Sequence, residues 1–225
     1  MAPTTHRRTV TVILCAVALA AVSGCGGGGD TTTSTPTAST TPAASAGGQT
    51  YSSKAFVVPF TVTVDAALKS PPNPDSHNLL SWDAAASKDK WVRFLVPVTL
   101  FRPGSPVREA VPKDYLKYLR GQTKDGAEFT EVTKITVDGH PATLMTVTTS
   151  RPVGFLSGSI GCSERTADKR DGDRCRGIQP EFILRLAVID LGETTLLTWA
   201  RMHKDNPDPA FVAMFERMLK TVRFR

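Results

Sequence analysis

A chain of 225 residues that is 40% hydrophobic, 21% charged and 7% aromatic has an ordinary globular composition. It excludes a collagen-like, wholly disordered or multi-span membrane protein. The formal charge of +6 is spread thinly, without the concentrated basic stripe of a nucleic-acid binder, so no nucleic-acid partner is expected.

Arg7 and Arg8 are followed by an uncharged run from Thr9 to Val22. That run is shorter than the ~20 apolar residues needed to span a bilayer, but has the length of a signal-peptide core. It ends in Val22-Ser23-Gly24-Cys25. With the n-region, the apolar run and the small residues before the cysteine, this segment resembles a bacterial lipoprotein signal. The resemblance implies cleavage before Cys25 and a diacylglyceryl group on its thiol. The alternative is an ordinary secreted protein with a chance cysteine. Arg7-Arg8 lacks the continuation of a twin-arginine signal, so Sec export is expected. Two acyl chains on one residue give a stable anchor, since each buried CH₂ contributes ~0.8 kcal/mol.

Residues 1–24 are therefore read as the signal peptide, 25–50 as lipidated cysteine and tether, and 51–225 as one folded domain. The tract GGGGDTTTSTPTASTTPAASAGGQT has no large apolar residue with which to offset its ordering entropy. After the leader is lost, Cys162 and Cys175 are the cysteines left to the folded part. In an oxidising compartment they read as a disulfide across a polar loop.

Phe56, Val58, Phe60, Val62 and Val64 alternate as in a half-buried strand over 55–64. Leu79 to Trp82 reads as a short strand. Trp91 to Phe101 reads as a long one, with Pro97 marking an edge or a bulge. Pro112 opens a short helix through Tyr115, Leu116 and Leu119, which Gly121 closes. Strands at 128–137 and 142–149 flank Asp138-Gly139, a hairpin turn signal. Glu181–Asp190 and Thr194–Met202 form a further pair about Gly192. Asp208 then caps a helix whose face is Phe211, Met214, Phe215, Met218 and Leu219, and Thr221 to Phe224 ends the chain as a short strand.

This order predicts an α+β fold, an antiparallel sheet of about six strands with two main helices. The closing FERMLKTVRF helix-to-strand and the VDGHPATLMTVTT hairpin resemble the Mog1/PsbP-like fold of some actinobacterial lipoproteins, including the LpqN-type group. That resemblance implies a binding or assembly role rather than catalysis.

Catalytic and metal-binding patterns are weak. Gly154-Phe155-Leu156-Ser157-Gly158-Ser159 has the wrong spacing for a nucleophile elbow. His77, His140 and His203 are scattered, which argues against zinc and against a general base. Asp168, Asp171, Gly172 and Asp173 depart from a calcium-loop spacing and alternate with Lys169, Arg170 and Arg174, which suits charge neutralisation better. No metal and no cofactor is expected.

The expected function is that of a non-catalytic binding or envelope-assembly module on the extracytoplasmic side of a cell membrane. Its partner would be an envelope protein, lipid or wall polymer; the alternative is a hydrolase acting on wall or lipid substrates. Trp91, Arg93, Arg185, Trp199 and Arg201 are the candidate partner-binding residues. A three-residue turn, Leu191-Gly192-Glu193, would set Arg185 opposite Trp199 and Ile183 opposite Arg201, on a face incompletely covered by the helices. Such Arg and Trp residues form either the solvated side of the sheet or an interaction patch.

Overall fold

The computed structural model describes residues 47–151, 158–168 and 172–225. In chain order the strands are β1 (Gln49–Ser52), β2 (Phe60–Val64), β3 (Leu79–Asp83), β4 (Trp91–Leu95), β5 (Leu100–Phe101) and β6 (Arg108–Glu109). Helix α1 (Tyr115–Gly121) precedes β7 (Ala127–Val137), β8 (His140–Thr149), β9 (Gly158–Cys162), β10 (Cys175–Ile178), β11 (Phe182–Asp190) and β12 (Thr195–His203). Helix α2 (Pro209–Lys220) and β13 (Arg223–Phe224) close the chain.

The main sheet has six antiparallel strands in the order β3-β4-β12-β11-β8-β7, and β1-β2-β13 form a smaller sheet. This is the expected α+β class. One face of the main sheet carries Val92, Phe94, Leu144 and Ala200, packed with β2 and with Phe211, Phe215 and Met218 of α2. The opposite face carries Trp91, Leu95, Met145, Leu184 and Trp199, packed with Tyr115 and Leu119 of α1, Ile160 of β9 and Ile178 of β10. Sandwiched between two cores, β4 is buried at every position.

Local chemistry sets the boundaries. Asp138 (φ 48°) and Gly139 (φ 81°) both take the left-handed conformation of a type I′ turn between β7 and β8. The Asp208 carboxylate accepts the Phe211 N–H at 3.0 Å, capping α2 with Pro209 in its first turn. Helix α1 starts at Asp114, whose side chain accepts the Lys117 N–H, later than the expected opening at Pro112. It does not stop on Gly121, which stays helical. A 3₁₀ turn over Gln122–Asp125 follows, and Gly126, at φ 96°, ends it.

Three expectations are corrected. Gln49 and Thr50 are not tether: they pair with Val64 and Thr63 as the start of β1. Pairing through the backbone needs no apolar side chain, so composition hid this edge strand. Residues 55–59 lie outside β2, although Phe56 is buried in the same core. The long strand 91–101 breaks after Leu95 and is interior, between β3 and β12. Pro97, which lacks an N–H, marks where the chain leaves the sheet. The Val98 N–H donates to Cys162 O (2.9 Å), and the Cys162 N–H to Thr99 O (2.8 Å).

Candidate functional site

The excursion after Leu95 and the β9–β10 hairpin build a cleft over the second face of the main sheet. Strand β9 is held down from several sides. The Tyr115 hydroxyl donates to Ile160 O, Tyr118 donates to Ser159 O (3.3 Å), and the Gln122 amide donates to the same carbonyl (3.0 Å). Burial pushes the Tyr115 phenol well above its ordinary value and Tyr118 up to about 12, so both remain hydroxyl donors. Cys162 and Cys175 are disulfide-bonded, as expected, and tie β9 to β10 as a facing pair.

Beneath this hairpin lies a cavity of about 320 Å³ whose floor is Trp91, Trp199, Leu184 and Arg201. Phe101, Phe182, Arg176 and the loop Arg102–Ser105 form its walls. The Arg201 guanidinium carbon sits 3.7 Å from the centre of the Phe182 ring and 4.2 Å from that of Trp91. The Arg93 guanidinium lies 3.7 Å from the same indole, and that of Arg176 lies 5.9 Å away. The Trp91 and Trp199 rings meet edge-on at 5.9 Å.

The electrostatics of this group are unusual. Burial, then the charges of Arg176 and Arg201, push Arg93 down to about 8; Asp173 and Asp83 act weakly the other way. Burial and Arg176 bring Arg201 to about 10, with Asp89 and Asp83 opposing. The Arg93 Nε–H donates to Ser81 Oγ at 3.0 Å, but its Nη1 has no hydrogen-bond partner among the described residues. The same holds for Arg201 Nε and the indole N–H of Trp199.

Four of the five candidate partner-binding residues thus come together: Trp91, Arg93, Trp199 and Arg201. Arg185 does not join them. The β11–β12 turn has four residues, Leu191–Thr194, so Arg185 faces Ala200 while Leu186 faces Trp199 and Leu184 faces Arg201. A one-residue slip sends a side chain to the other face of the sheet. Arg185 lies on the α2 side, donating from Nε to Glu216 (2.8 Å) and from Nη1 to Glu131 (3.2 Å) and Thr146 (3.1 Å).

The reading of these residues as the solvated side of the sheet is also overturned. Trp91 is 5%, Trp199 1% and Arg93 9% exposed, because α1 and the β9–β10 hairpin cover this face and leave the cleft between them. Helix α2 packs on the opposite face.

Sequence reasoning missed Arg176, Phe182 and Phe101. The available signals were the adjacency of Arg176 to Cys175 and the position of Phe182 at the start of β11, across from His203. Cys25 and the segment Gly154–Ser157 lie outside the described residues, as do Lys169, Arg170 and Asp171 of the acidic loop. Of that loop, Arg174 pairs with Glu164 at 3.0 Å. His140 packs edge-on against Phe224, and His203 against Phe182. No helix among the described residues is long and apolar enough to cross a membrane.

No family model matches the chain, and no curated protein matches it. Three solved structures are similar. One is a protein of Bacteroides thetaiotaomicron, 9% identical, with a TM-score of 0.40, matched over 80% of this chain and 49% of its own length. The chain thus spans about half of that structure. The second is the cyanobacterial PsbP of Synechocystis, 10% identical, TM-score 0.40, matched over 85% of this chain and 100% of its own. The third is PA94 of Pseudomonas aeruginosa, a protein of unknown function, 12% identical, TM-score 0.38, over 79% and 99%. The α+β class rests on the strand pairing itself and not on these likenesses.

Proposed function

We propose that the protein is an extracytoplasmic binding module of the LpqN type, anchored to the cell membrane by a diacylglyceryl group on Cys25, and that the Trp91–Arg201 cleft is its binding site. The observation that carries this reading is the make-up of the cleft: aromatic rings and guanidiniums gathered beneath a disulfide-tied hairpin. Aromatic residues and arginine are the side chains most enriched at binding hot spots, and a concave, largely apolar site with a few polar groups suits a ligand. The described residues lining the cleft include neither a histidine nor a carboxylate. Ser105 and Ser159 line it, but their hydroxyls accept from the Val107 and Phe101 N–H groups, and no histidine or carboxylate bonds to either hydroxyl among the described residues. This favours binding over hydrolysis. The disulfide suits an oxidising compartment, which fits export.

Two measurements test the two halves of the proposal. Cys25→Ser should release the protein from the membrane fraction, and unchanged tight association would refute the anchor. For the cleft, ¹⁵N-labelled protein is exposed to organic and aqueous extracts of bacterial envelopes while its three indole N–H signals are followed. Trp91 and Trp199 line the cleft and Trp82 lies in the opposite core, so binding there moves the first two and spares the third. Movement of none of them, or of all three alike, would reject the cleft as the site.

A further inference from the structure

We propose that the cleft takes a phosphate ester, its oxyanion held by Arg201 with the charge of Arg93 behind it, and its apolar group laid against Trp91 and Phe182; this assignment rests on the cleft being the binding site.

The Arg201 side chain lines the cavity yet makes no hydrogen bond or ion pair among the described residues; its guanidinium lies over the faces of Phe182 and Trp91. Behind it, Arg93 is nine-tenths buried with Nη1 unpartnered, over the same Trp91 ring. The buried indole N–H of Trp199, which also lines the cavity, is the third donor without an acceptor. All three are donors and none is an acceptor. A neutral apolar ligand would leave every one of them unpaired, and a cation would add to the charge. Buried polar groups are ordinarily hydrogen-bonded, so a cluster of unmet donors beside a cavity calls for an acceptor.

Charge narrows the class. Two guanidiniums within about 4 Å of one indole repel each other, and the described lining holds no carboxylate to neutralise them. Asp83, Asp89 and Asp173 act on them through space, and none of the described carboxylates forms an ion pair with either guanidinium. A phosphate carries the charge for two cations, and its oxygens match the planar donor fork of arginine. The rings supply the complementary half of the site, a surface for an apolar appendage. A volume of about 320 Å³ stands at the small end of ligand pockets, which suits a headgroup with a short apolar stretch rather than whole acyl chains.

The test titrates full-length ¹⁵N-labelled protein with hexyl phosphate, inorganic phosphate, hexanol and vesicles of phosphatidylglycerol, following the same indole signals. Hexyl phosphate should shift Trp91 and Trp199 and spare Trp82, and Arg201→Met should weaken it at least about tenfold. Arg201→Lys, which keeps the charge and loses the fork, should retain part of the affinity, and it stands in if the Met variant fails to fold. A response to hexyl phosphate and to vesicles supports the assignment with a lipid headgroup as the source. A response to hexyl phosphate or inorganic phosphate without vesicles supports it with a soluble phosphate. If hexanol shifts the signals as well as hexyl phosphate does, the cleft binds but the oxyanion assignment is overturned. If envelope extracts move Trp91 and Trp199 and no phosphate does, the binding reading survives and the phosphate assignment falls.

Discussion

Arg185 on β11 and Glu216 on α2 are joined across the sheet–helix interface by a 2.8 Å hydrogen bond from Nε to Oε1. A bulge in β7 at Glu131 (φ 49°) completes the arrangement, placing a second carboxylate 3.2 Å from Arg185 Nη1. Bulges re-aim side chains in this way. The guanidinium is thus a structural clamp on the α2 side and has no part in the cleft.

Removing this clamp should cost stability and nothing else. Arg185 is buried, but its carboxylate partners reach solvent, which screens the pair well below the fully buried case. Arg185→Ala should lower stability by about 1–2 kcal/mol and Glu216→Gln by about 1 kcal/mol in urea unfolding. The Trp91 and Trp199 indole signals should stay in place in both variants. A shift of those signals on Arg185→Ala would return Arg185 to the cleft.

The hairpin at Asp138-Gly139 and helix α2 were legible because each carries a local chemical signature, a left-handed turn pair and a capped apolar stripe. The register of β11 with β12 was not. Strand β11 is apolar on both faces, since it is covered by a core on each side, so alternation could not say which side Arg185 takes. Only the turn length decided it, and four residues replaced three. The candidate site was legible in part. Trp91, Arg93, Trp199 and Arg201 sit at matching positions on neighbouring strands, so any correct pairing of β4 with β12 unites them. The walls come from irregular segments placed by Tyr115, Gln122 and the disulfide, contacts far apart in sequence that no periodicity encodes.

The disulfide should contribute to stability through the chain it closes. Cys162 and Cys175 are 13 residues apart, a loop for which the chain-entropy account gives about 3 kcal/mol. A Cys162→Ala, Cys175→Ala double variant should melt about 6–12 °C lower by calorimetry. Because Cys175 lines the cavity, the variant should also broaden the Trp199 indole signal. An unchanged melting temperature would mean that Tyr115 and Gln122 alone fix the hairpin.

Asp208 gives the fold an acid-sensitive joint. Its carboxylate lies below the ordinary value because Lys90 Nζ donates to it at 2.7 Å and the Phe211 N–H also reaches it. An acid with a lowered folded value stabilises the fold above its unfolded value, near 3.8. That contribution is lost as the pH falls through the lower, folded value. Asp208→Ala removes the cap as well and should cost about 1 kcal/mol at pH 7. Asp208→Asn keeps a capping oxygen and loses the charge, so its deficit at pH 7 should be smaller and should shrink further as the pH falls through the folded value. Urea titrations at pH 7, 4 and 2.5 separate the two; equal deficits at every pH would show that the Lys90 pair contributes nothing.

Arg201 should burden the fold for as long as no anion pairs with it. Arg201 stacks on two rings but carries a charge beside Arg93 and Arg176, and an uncompensated buried charge is a cost that an apolar residue of similar length avoids. Arg201→Met should therefore stabilise the ligand-free protein by about 1 kcal/mol at pH 7 while weakening its response to hexyl phosphate at least about tenfold, a trade of function for stability. The pH dependence has a definite sign. Arg93 and Arg201 are bases pushed down to about 8 and about 10, whereas the unfolded chain holds those protons to far higher pH. The unfolded state thus binds more protons above those values, so the Arg201 cost is full below about pH 10 and is relieved only as the pH rises through it. The advantage of Arg201→Met over the unmodified protein should persist from pH 7 to pH 9 and should shrink above about pH 10 in paired guanidinium-chloride titrations. A loss of stability at pH 7 would show that Arg201 is already neutralised within the fold, and would remove the electrostatic ground for an anionic ligand.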